Sequence, residues 1–332
     1  MIGRARSGSG QHLLQSRWIG AGSADGTVGR RNQSRRSLRS HEHNVVWATM
    51  SRDDTGIPSL FREMDDDRIV VVTVCKNAER TIRDCLLSVA AQSRSGVEHL
   101  VVDGGSSDGT LEIVKECSRD GLTLVRQRDR GIYDAMNQAL EHVAPGSWVL
   151  FLNADDRLSD ADTLGSLGKT LGPAEMLCAD ILWLTESGDP IRVSGGVLSV
   201  RALASRGMVV HHQGMLVRRE VFDRFGRFDL SFLISADYEW VVRVVANGIR
   251  TKKLDLCLSE VRLGGASDRA RGRGAFERGK VALRYFRGMN LFVAWSSVVP
   301  ELVRAGLRFA AAWMGLLYLS RRLRGIQGWR TA

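Results

Sequence analysis

The run Ile69-Val70-Val71-Val72-Thr73-Val74 constrains the fold more than any other stretch of the chain: six consecutive residues, every one β-branched and none charged. Continuous rather than alternating apolar character predicts a strand buried on both faces of a parallel sheet. A turn follows at Lys76-Asn77-Ala78-Glu79, then a helical stretch from Thr81 to Gln92 with Ile82, Leu86 and Val89 at helical spacing. The alternation continues. His99 to Val102 reads as a strand ending at Asp103, Thr110 to Cys117 as a helix, Leu122 to Val125 as a strand, and Tyr133 to His142 as a helix. Trp148 to Leu152 reads as a fourth strand, ending at Asn153-Ala154-Asp155-Asp156. Strand, loop and helix repeating at about 30 residues per unit is the pattern of an α/β fold with a mostly parallel central sheet flanked by helices. Ligands bind beyond the carboxyl ends of such strands, so Asp103, Asp155 and Asp156 are expected to converge on one edge.

The flanks differ from this middle. The formal charge of +10 is concentrated at the ends. Residues 1–49 carry Arg4, Arg6, Arg17, Arg30, Arg31, Arg35, Arg36 and Arg39 against Asp25 and Glu42. Residues 1–66 are rich in Ser, Gly and Arg, have no sustained apolar period, and are expected to be a disordered basic extension. They lack the apolar core of a signal peptide; a transit peptide, or an over-long start with Met50 or Met64 as the true one, are open alternatives. Five cysteines without a C-x-x-C pair argue against a disulfide framework or a structural zinc site, and for a reducing cytoplasmic setting. Near the other end, the longest uncharged runs, 288–300 and 309–320, are shorter than the ~18–20 residues a spanning helix needs. Pro300 suits the first turn of a helix. Beyond it Glu301, Arg304 and Arg308 share one face, and Trp313, Tyr318 and Arg321, Arg322 and Arg324 follow. Residues 266–332 therefore read as a helical, basic, amphipathic tail lying on a membrane surface through residues 290–324, with packing on the protein's own core as the alternative.

Several constellations can carry chemistry, and each has a structural reading beside the functional one. Asp155-Asp156 at a strand end are costly neighbours unless a cation separates them, which suits Mg²⁺ or Mn²⁺ held together with substrate phosphates; alone, Asp156 could simply cap a turn. Asp103 to Thr110 is a glycine-bearing loop feeding a helix N-terminus, a place that favours anions. It is neither a P-loop nor G-x-G-x-x-G, which disfavours an ATPase or a dinucleotide site. Asp134 and Asn137 stand one turn apart on a helix. Asp237, within Ser235-Ala236-Asp237-Tyr238-Glu239-Trp240, opens a helix and is either a cap or a general base within reach of an acceptor hydroxyl. Of His211 and His212, adjacent along the chain, at most one can face a site if both lie on a strand.

Taken in order, five motifs resemble family 2 glycosyltransferases of the bacterial surface-polysaccharide type. They are Val72 to Glu79, Val101 to Thr110, Asp129 to Asn137, Phe151 to Asp156, and Ser235 to Trp240. The resemblance implies the GT-A fold over residues 67–265. It implies a nucleotide-sugar donor, with UDP first, held by Asn77, Glu79, Asp103, Ser106, Asp129, Gly131, Asp134, Asn137, Asn153 and Asp155, with Asp103 on the uracil or ribose side. It implies a divalent metal, Mn²⁺ or Mg²⁺, on Asp155 and Asp156, and Asp237 as the base of an inverting transfer. It places His212, Tyr238, Glu239 and Trp240 toward the acceptor or the diphosphate. The acidic motif begins with Asn153 where many members have Asp. The implied acceptor is a saccharide or lipid-linked molecule in cell-surface polysaccharide synthesis, worked on at the cytoplasmic face of the membrane. Two rivals are weighed. A nucleotidyltransferase usually has a Gly-rich basic loop after its first strand, and Cys75 to Glu79 is not one. A nucleic-acid-binding protein needs a basic face on the folded domain, whereas the charge here lies in the flanks, so no nucleic-acid partner is expected.

Overall fold

The computed structural model describes residues 45–48, 68–168, 171–185, 189–193, 195–264 and 270–327. Strands β1 (Val45–Ala48), β2 (Ile69–Cys75), β3 (Val97–Asp103), β4 (Leu122–Arg126) and β5 (Trp148–Phe151) alternate with helices α1 (Ile82–Ala90), α2 (Thr110–Glu116) and α3 (Ile132–Ala139). Then come β6 (Arg157–Leu158), β7 (Met176–Leu184), β8 (Pro190–Val193), α4 (Val200–Arg206), β9 (Met215–Arg218), α5 (Arg219–Phe225), α6 (Ala236–Ala246) and β10 (Thr251–Arg262). Two helices close the described chain, α7 (Arg271–Tyr285) and α8 (Gly288–Gln327). The sheet runs β1-β4-β3-β2-β5-β9-β7-β10-β6, with β8 beside β7. The four strands expected from the sequence form a parallel block, β4-β3-β2-β5. Beyond β5 the sheet turns mixed: β9 is antiparallel to both β5 and β7, and β7 is parallel to β10.

The period of two along a strand divides the interior. Val70, Val72 and Val74 face one core with Tyr133, Met136, Phe222 and Trp240. Ile69 and Val71 face another with Cys85, Val89, Trp148 and Leu150. Both faces of β2 are thus covered by helices, which is why its sequence does not alternate. All seven of its residues are buried.

Three features depart from the sequence-based expectations. Val45–Ala48, inside the stretch expected to be unstructured, pairs antiparallel with β4 from Val45↔Arg126 to Ala48↔Thr123; four residues are too few to register as a periodic pattern. The rest of residues 1–66 lies outside the described residues. Second, the tail is not an appendage at its start: Val281 and Ala282 of α7, Phe286 directly after it and Ala294 of α8 belong to the same core as β2 and α6. Third, Pro300 lies inside α8 rather than at a helix start. Proline removes one backbone donor from a helix interior. Here α8 is held against α7 on both sides of that point: Gly279 lies against Trp295 and Val298, Arg278 bonds Glu301, and Gly272 faces Ala305. Among the described residues, no helix is long and apolar enough to cross a membrane.

His99, fully buried on β3, faces Thr73 with Nε2 2.9 Å from the hydroxyl, and Thr73 in turn contacts Cys85. Burial, then Arg119, hold the imidazole down at about 3 from its ordinary 6.5. A group with a depressed folded pKa binds fewer protons folded than unfolded between those values, so stability is present above pH 6.5 and is lost as the pH falls. Denaturant unfolding from pH 7 to 5 should show wild type losing up to ~1.4 kcal/mol per unit below pH 6.5 relative to His99→Gln.

Candidate active site

A cleft of 940 Å³ opens at the carboxyl edge of the parallel block. The turn after β2 (Lys76 to Thr81) and the segment after β5 (Asn153 to Asp156) form one side. Trp183, His211 to Gln213, Leu233, Ile234, Asp237 and Val261 to Leu263 form the other.

Asp237 stands in the first turn of α6 with its side chain 15% exposed to the cleft. Its Oδ1 accepts from the Tyr238 amide at 2.8 Å and lies 3.0 Å from the Tyr133 hydroxyl. Its Oδ2 lies 3.3 Å from His212 Nδ1, which must carry the proton because a carboxylate only accepts. The other ring nitrogen of His212 lies 3.3 Å from Asn153 Oδ1, so one imidazole bridges the segment after β5 and α6. Burial pushes the Asp237 carboxyl up, but the bonds from His212, Tyr238 and Tyr133 outweigh it and hold it below the ordinary range. It is therefore ionised near neutral pH.

The segment before Asp237 is fixed from α7. Glu277, 2% exposed, accepts from the amides of Leu233, Ile234 and Ser235 at 3.0, 2.9 and 2.9 Å. Sequence reasoning missed this residue, because nothing in Phe276-Glu277-Arg278 marks a partner some 43 positions upstream.

Asp155 and Asp156 part company. Asp156 is 3% exposed, with Oδ2 accepting from Gln213 at 2.9 Å and Oδ1 from the Arg262 amide at 3.1 Å. Burial, then the neighbouring Asp155 carboxylate, push it up to about 7. Each of its oxygens accepts one hydrogen bond from the protein, and Asp156 thereby ties β10 to the segment after β5. Asp155 is half-buried, lines the cleft, and has no hydrogen bond or ion pair among the described residues. No cluster of three metal-ligating side chains occurs among the described residues. The residues present fit a hard divalent cation held by one carboxylate, with substrate oxygens completing its shell.

Beside the cleft, the turn after β2 is stitched to the β3–α2 loop. Asn77 adopts φ +53°, a left-handed conformation asparagine tolerates, so that its amide donates to Ser106 Oγ and its Oδ1 accepts from the Ser107 amide. Glu79 Oε2 accepts from the Gly109 amide at 2.8 Å. Asp103 is fully buried, accepts from the Gly105 and Ser106 amides, and pairs with Arg126 at 3.4 Å. Asp129 takes the Gly131 amide, and its carboxylate lies where a Cβ on Gly104 would be, 2.0 Å away. Gly131 itself has φ +129°, which favours glycine at this helix start. Asn77 and Glu79 line the cleft, whereas Asp103, Ser106, Asp129 and Gly131 shape the loop beside it.

Five other expected residues lie elsewhere. Asp134 pairs with Arg130 and accepts its amide. Asn137 spends its amide on both main-chain groups of Phe228. Tyr238 and Trp240 are buried in the core, one hydroxyl donating to Leu203 O and one indole donating to Gly226 O and stacking on Phe222. Glu239 is fully buried and pairs with Arg243 and Tyr285. The reason is helical: Asp237 stands in the first turn at the cleft, Tyr238 and Glu239 rotate away from it, and Trp240, one turn further along α6, lies in the core. In their place the cleft presents Lys76, Arg80, Trp183, His211, Gln213 and Arg262.

Comparison with known proteins agrees with this geometry. The profile of Glycosyl transferase family 2 matches residues 70–184. A "PGL/p-HBAD biosynthesis glycosyltransferase" of Mycobacterium bovis is 32% identical over 185 residues, 54% of this chain and 69% of that protein. Among solved structures, Staphylococcus aureus TarS in complex with UDP-GlcNAc matches with TM-score 0.55 at 19% identity, over 71% of each chain. A mannosyltransferase from Pyrobaculum calidifontis, PcManGT, in complex with GDP-Man and Mn²⁺, matches with TM-score 0.53 at 21% identity, over 80% of this chain and 82% of that one. The fold is that of GT-A glycosyltransferases, and the chain belongs to glycosyl transferase family 2. It is a glycosyltransferase, which sets aside the nucleotidyltransferase alternative.

Removing the Tyr133 hydroxyl takes one stabilising bond from the Asp237 carboxylate. Tyr133→Phe should therefore move the acid limb of the pH–rate profile to higher pH. An unchanged limb would show that Asp237 does not govern it.

Proposed function

We propose that this protein is an inverting glycosyltransferase that moves a sugar from a UDP-sugar to a saccharide or lipid-linked acceptor in cell-surface polysaccharide or glycolipid synthesis. The observation that carries this reading is a half-buried, ionised Asp237 lining the same cleft, at the sheet's carboxyl edge, as Asp155, which has no hydrogen bond or ion pair among the described residues. The UDP-GlcNAc bound by TarS supports uridine as the base, and the PGL/p-HBAD biosynthesis named for the mycobacterial relative supports a biosynthetic glycosyl transfer.

The acceptor hydroxyl approaches sugar C1 from the Asp237 side. Its proton passes to Asp237 as the new C1–O bond forms, and the electron pair of the old C1–O bond leaves with the nucleoside diphosphate. Attack opposite the leaving group inverts the anomeric centre. His212 and Tyr133 hold the carboxylate in place. A depressed pKa makes Asp237 a weak base at rest, suited to accept a proton that becomes acidic only as the bond forms. Asp155 would hold Mn²⁺ or Mg²⁺, which neutralises diphosphate charge as a Lewis acid. Lys76 and Arg80 line the same end and add positive charge.

The reading also places the protein at a membrane surface. Phe276 and Leu283 on α7 and Met289, Phe292, Val299, Val303 and Leu307 on α8 are exposed, with Lys280, Arg287 and Arg304 exposed among them. Such a face suits the interface of an anionic bilayer.

Asp237→Asn should lower kcat by about 10²–10⁴-fold while leaving nucleotide affinity unchanged. A wild-type rate in this variant would exclude Asp237 as the base. In flotation with phosphatidylglycerol vesicles, wild type should rise with the lipid and Phe292→Glu/Leu307→Glu should not; equal behaviour would remove the membrane assignment.

A further inference from the structure

Asn153 heads the segment after β5, where many family members carry an acid. In this chain its Oδ1 lies 3.3 Å from His212 Nε2, and the opposite ring nitrogen, Nδ1, lies 3.3 Å from Asp237 Oδ2. All three residues line the cleft, and the His212 side chain is 12% exposed. They form a line from the segment that carries Asp155 to the base on α6.

The backbone under this line is held. The Asp156 amide bonds Asn153 O at 3.0 Å, and the Gly214 amide bonds His211 O at 2.8 Å. Gln213 donates to Asp156 at 2.9 Å, so the two segments are joined twice, by Asn153 with His212 and by Asp156 with Gln213. Ser259 bonds Gln213 O at 2.8 Å from β10. A Cβ on Gly214 would stand 2.8 Å from Ala179 O, so the chain just after His212 lies as close to β7 as a residue without a side chain allows.

We propose that Asn153 is a positioning residue for the base, acting on Asp237 through His212 rather than on the donor. This rests on the reading of Asp237 as the base. Nδ1 of His212 must carry a proton to serve a carboxylate, which only accepts. In a neutral imidazole the other nitrogen is then a bare acceptor, and the group it meets decides which nitrogen keeps the proton. A carboxamide meets either need, because by a half-turn it offers Nε2 an N–H or an oxygen. An aspartate at position 153 could only accept, and would require a second proton on the ring. Asparagine thus keeps the Nδ1 proton on Asp237 and adds no charge of its own beside the base.

The test reads the ring directly, by ring-nitrogen NMR of the full chain carrying isotope-labelled histidine, with the His212 signals assigned by their loss in His212→Asn. Wild type should show a proton on Nδ1. Asn153→Ala should draw the two nitrogen signals toward the average of the tautomers, and Asn153→Asp should show both nitrogens protonated. His212 signals that are the same in all three proteins overturn the proposal. Asn153→Ala should also slow UDP release from UDP-GlcNAc, with water in the acceptor's place, by about 10–100-fold. Its UDP affinity in Mn²⁺ and its melting temperature should stay close to wild type. His212→Asn keeps a donor where Nδ1 stands and offers nothing toward position 153, so adding Asn153→Ala to it should cost nothing further. Loss of UDP affinity with unchanged ring signals would return Asn153 to the donor and overturn the proposal. Changed ring signals with an unchanged rate would leave the His212 contact standing and remove Asp237 as the base.

Discussion

A carboxylate removed from water, that of Glu277, holds the segment leading into α6 in place. Glu277 accepts three successive backbone amides, and Arg273 approaches it at 3.3 Å from the surface. Charge-assisted bonds of this kind are short and roughly twice as strong as neutral ones. Truncating Glu277 would leave three amides without their acceptor, that of Ser235 buried, so the carboxylate fixes the course of Leu233 to Ser235. That arrangement sets the start of α6 and with it the position of Asp237. A helix that the sequence assigns to a peripheral tail is therefore part of the site's foundation.

The same economy appears at the end of β5. Of two adjacent acids, one is buried and bonded to Gln213 and Arg262, and the other is left facing the cleft. Asp156 acts on the framework, joining β10 to the parallel block, so that Asp155 can be held out without a protein partner. His212 performs the equivalent join between Asn153 and Asp237. The asparagine at the head of the acidic motif thus has a structural partner in this chain, its Oδ1 lying 3.3 Å from the imidazole.

The parallel half of the fold was legible because its signal is local: continuous β-branched strands, helical spacing, and glycine-rich turns within units of some thirty residues. The mixed half was not, because β7, β9 and β10 owe their order to long-range pairing. Site residues followed the same division. Asn77, Glu79, Asp155 and Asp237 end strands or open helices in ordered motifs, and all line the cleft. Tyr238, Glu239 and Trp240 were carried along with Asp237 by adjacency in sequence, but a helix turns consecutive residues to different sides. Asn137 and Asp134 were read as ligand-facing, but their neighbours Phe228 and Arg130 claim them. Glu277, Trp183 and Leu263 carry no motif; only the tertiary fold brings them to the site.

The central claim is that the Asp155 carboxylate, unpartnered among the described residues, recruits a divalent cation to a nucleoside diphosphate in this cleft. Calorimetric titration of UDP with and without Mn²⁺, on wild type and on Asp155→Ala, tests it directly. The account predicts binding that requires Mn²⁺ in wild type and is lost in the variant at unchanged thermal stability. UDP binding that is indifferent both to Mn²⁺ and to the substitution would contradict it.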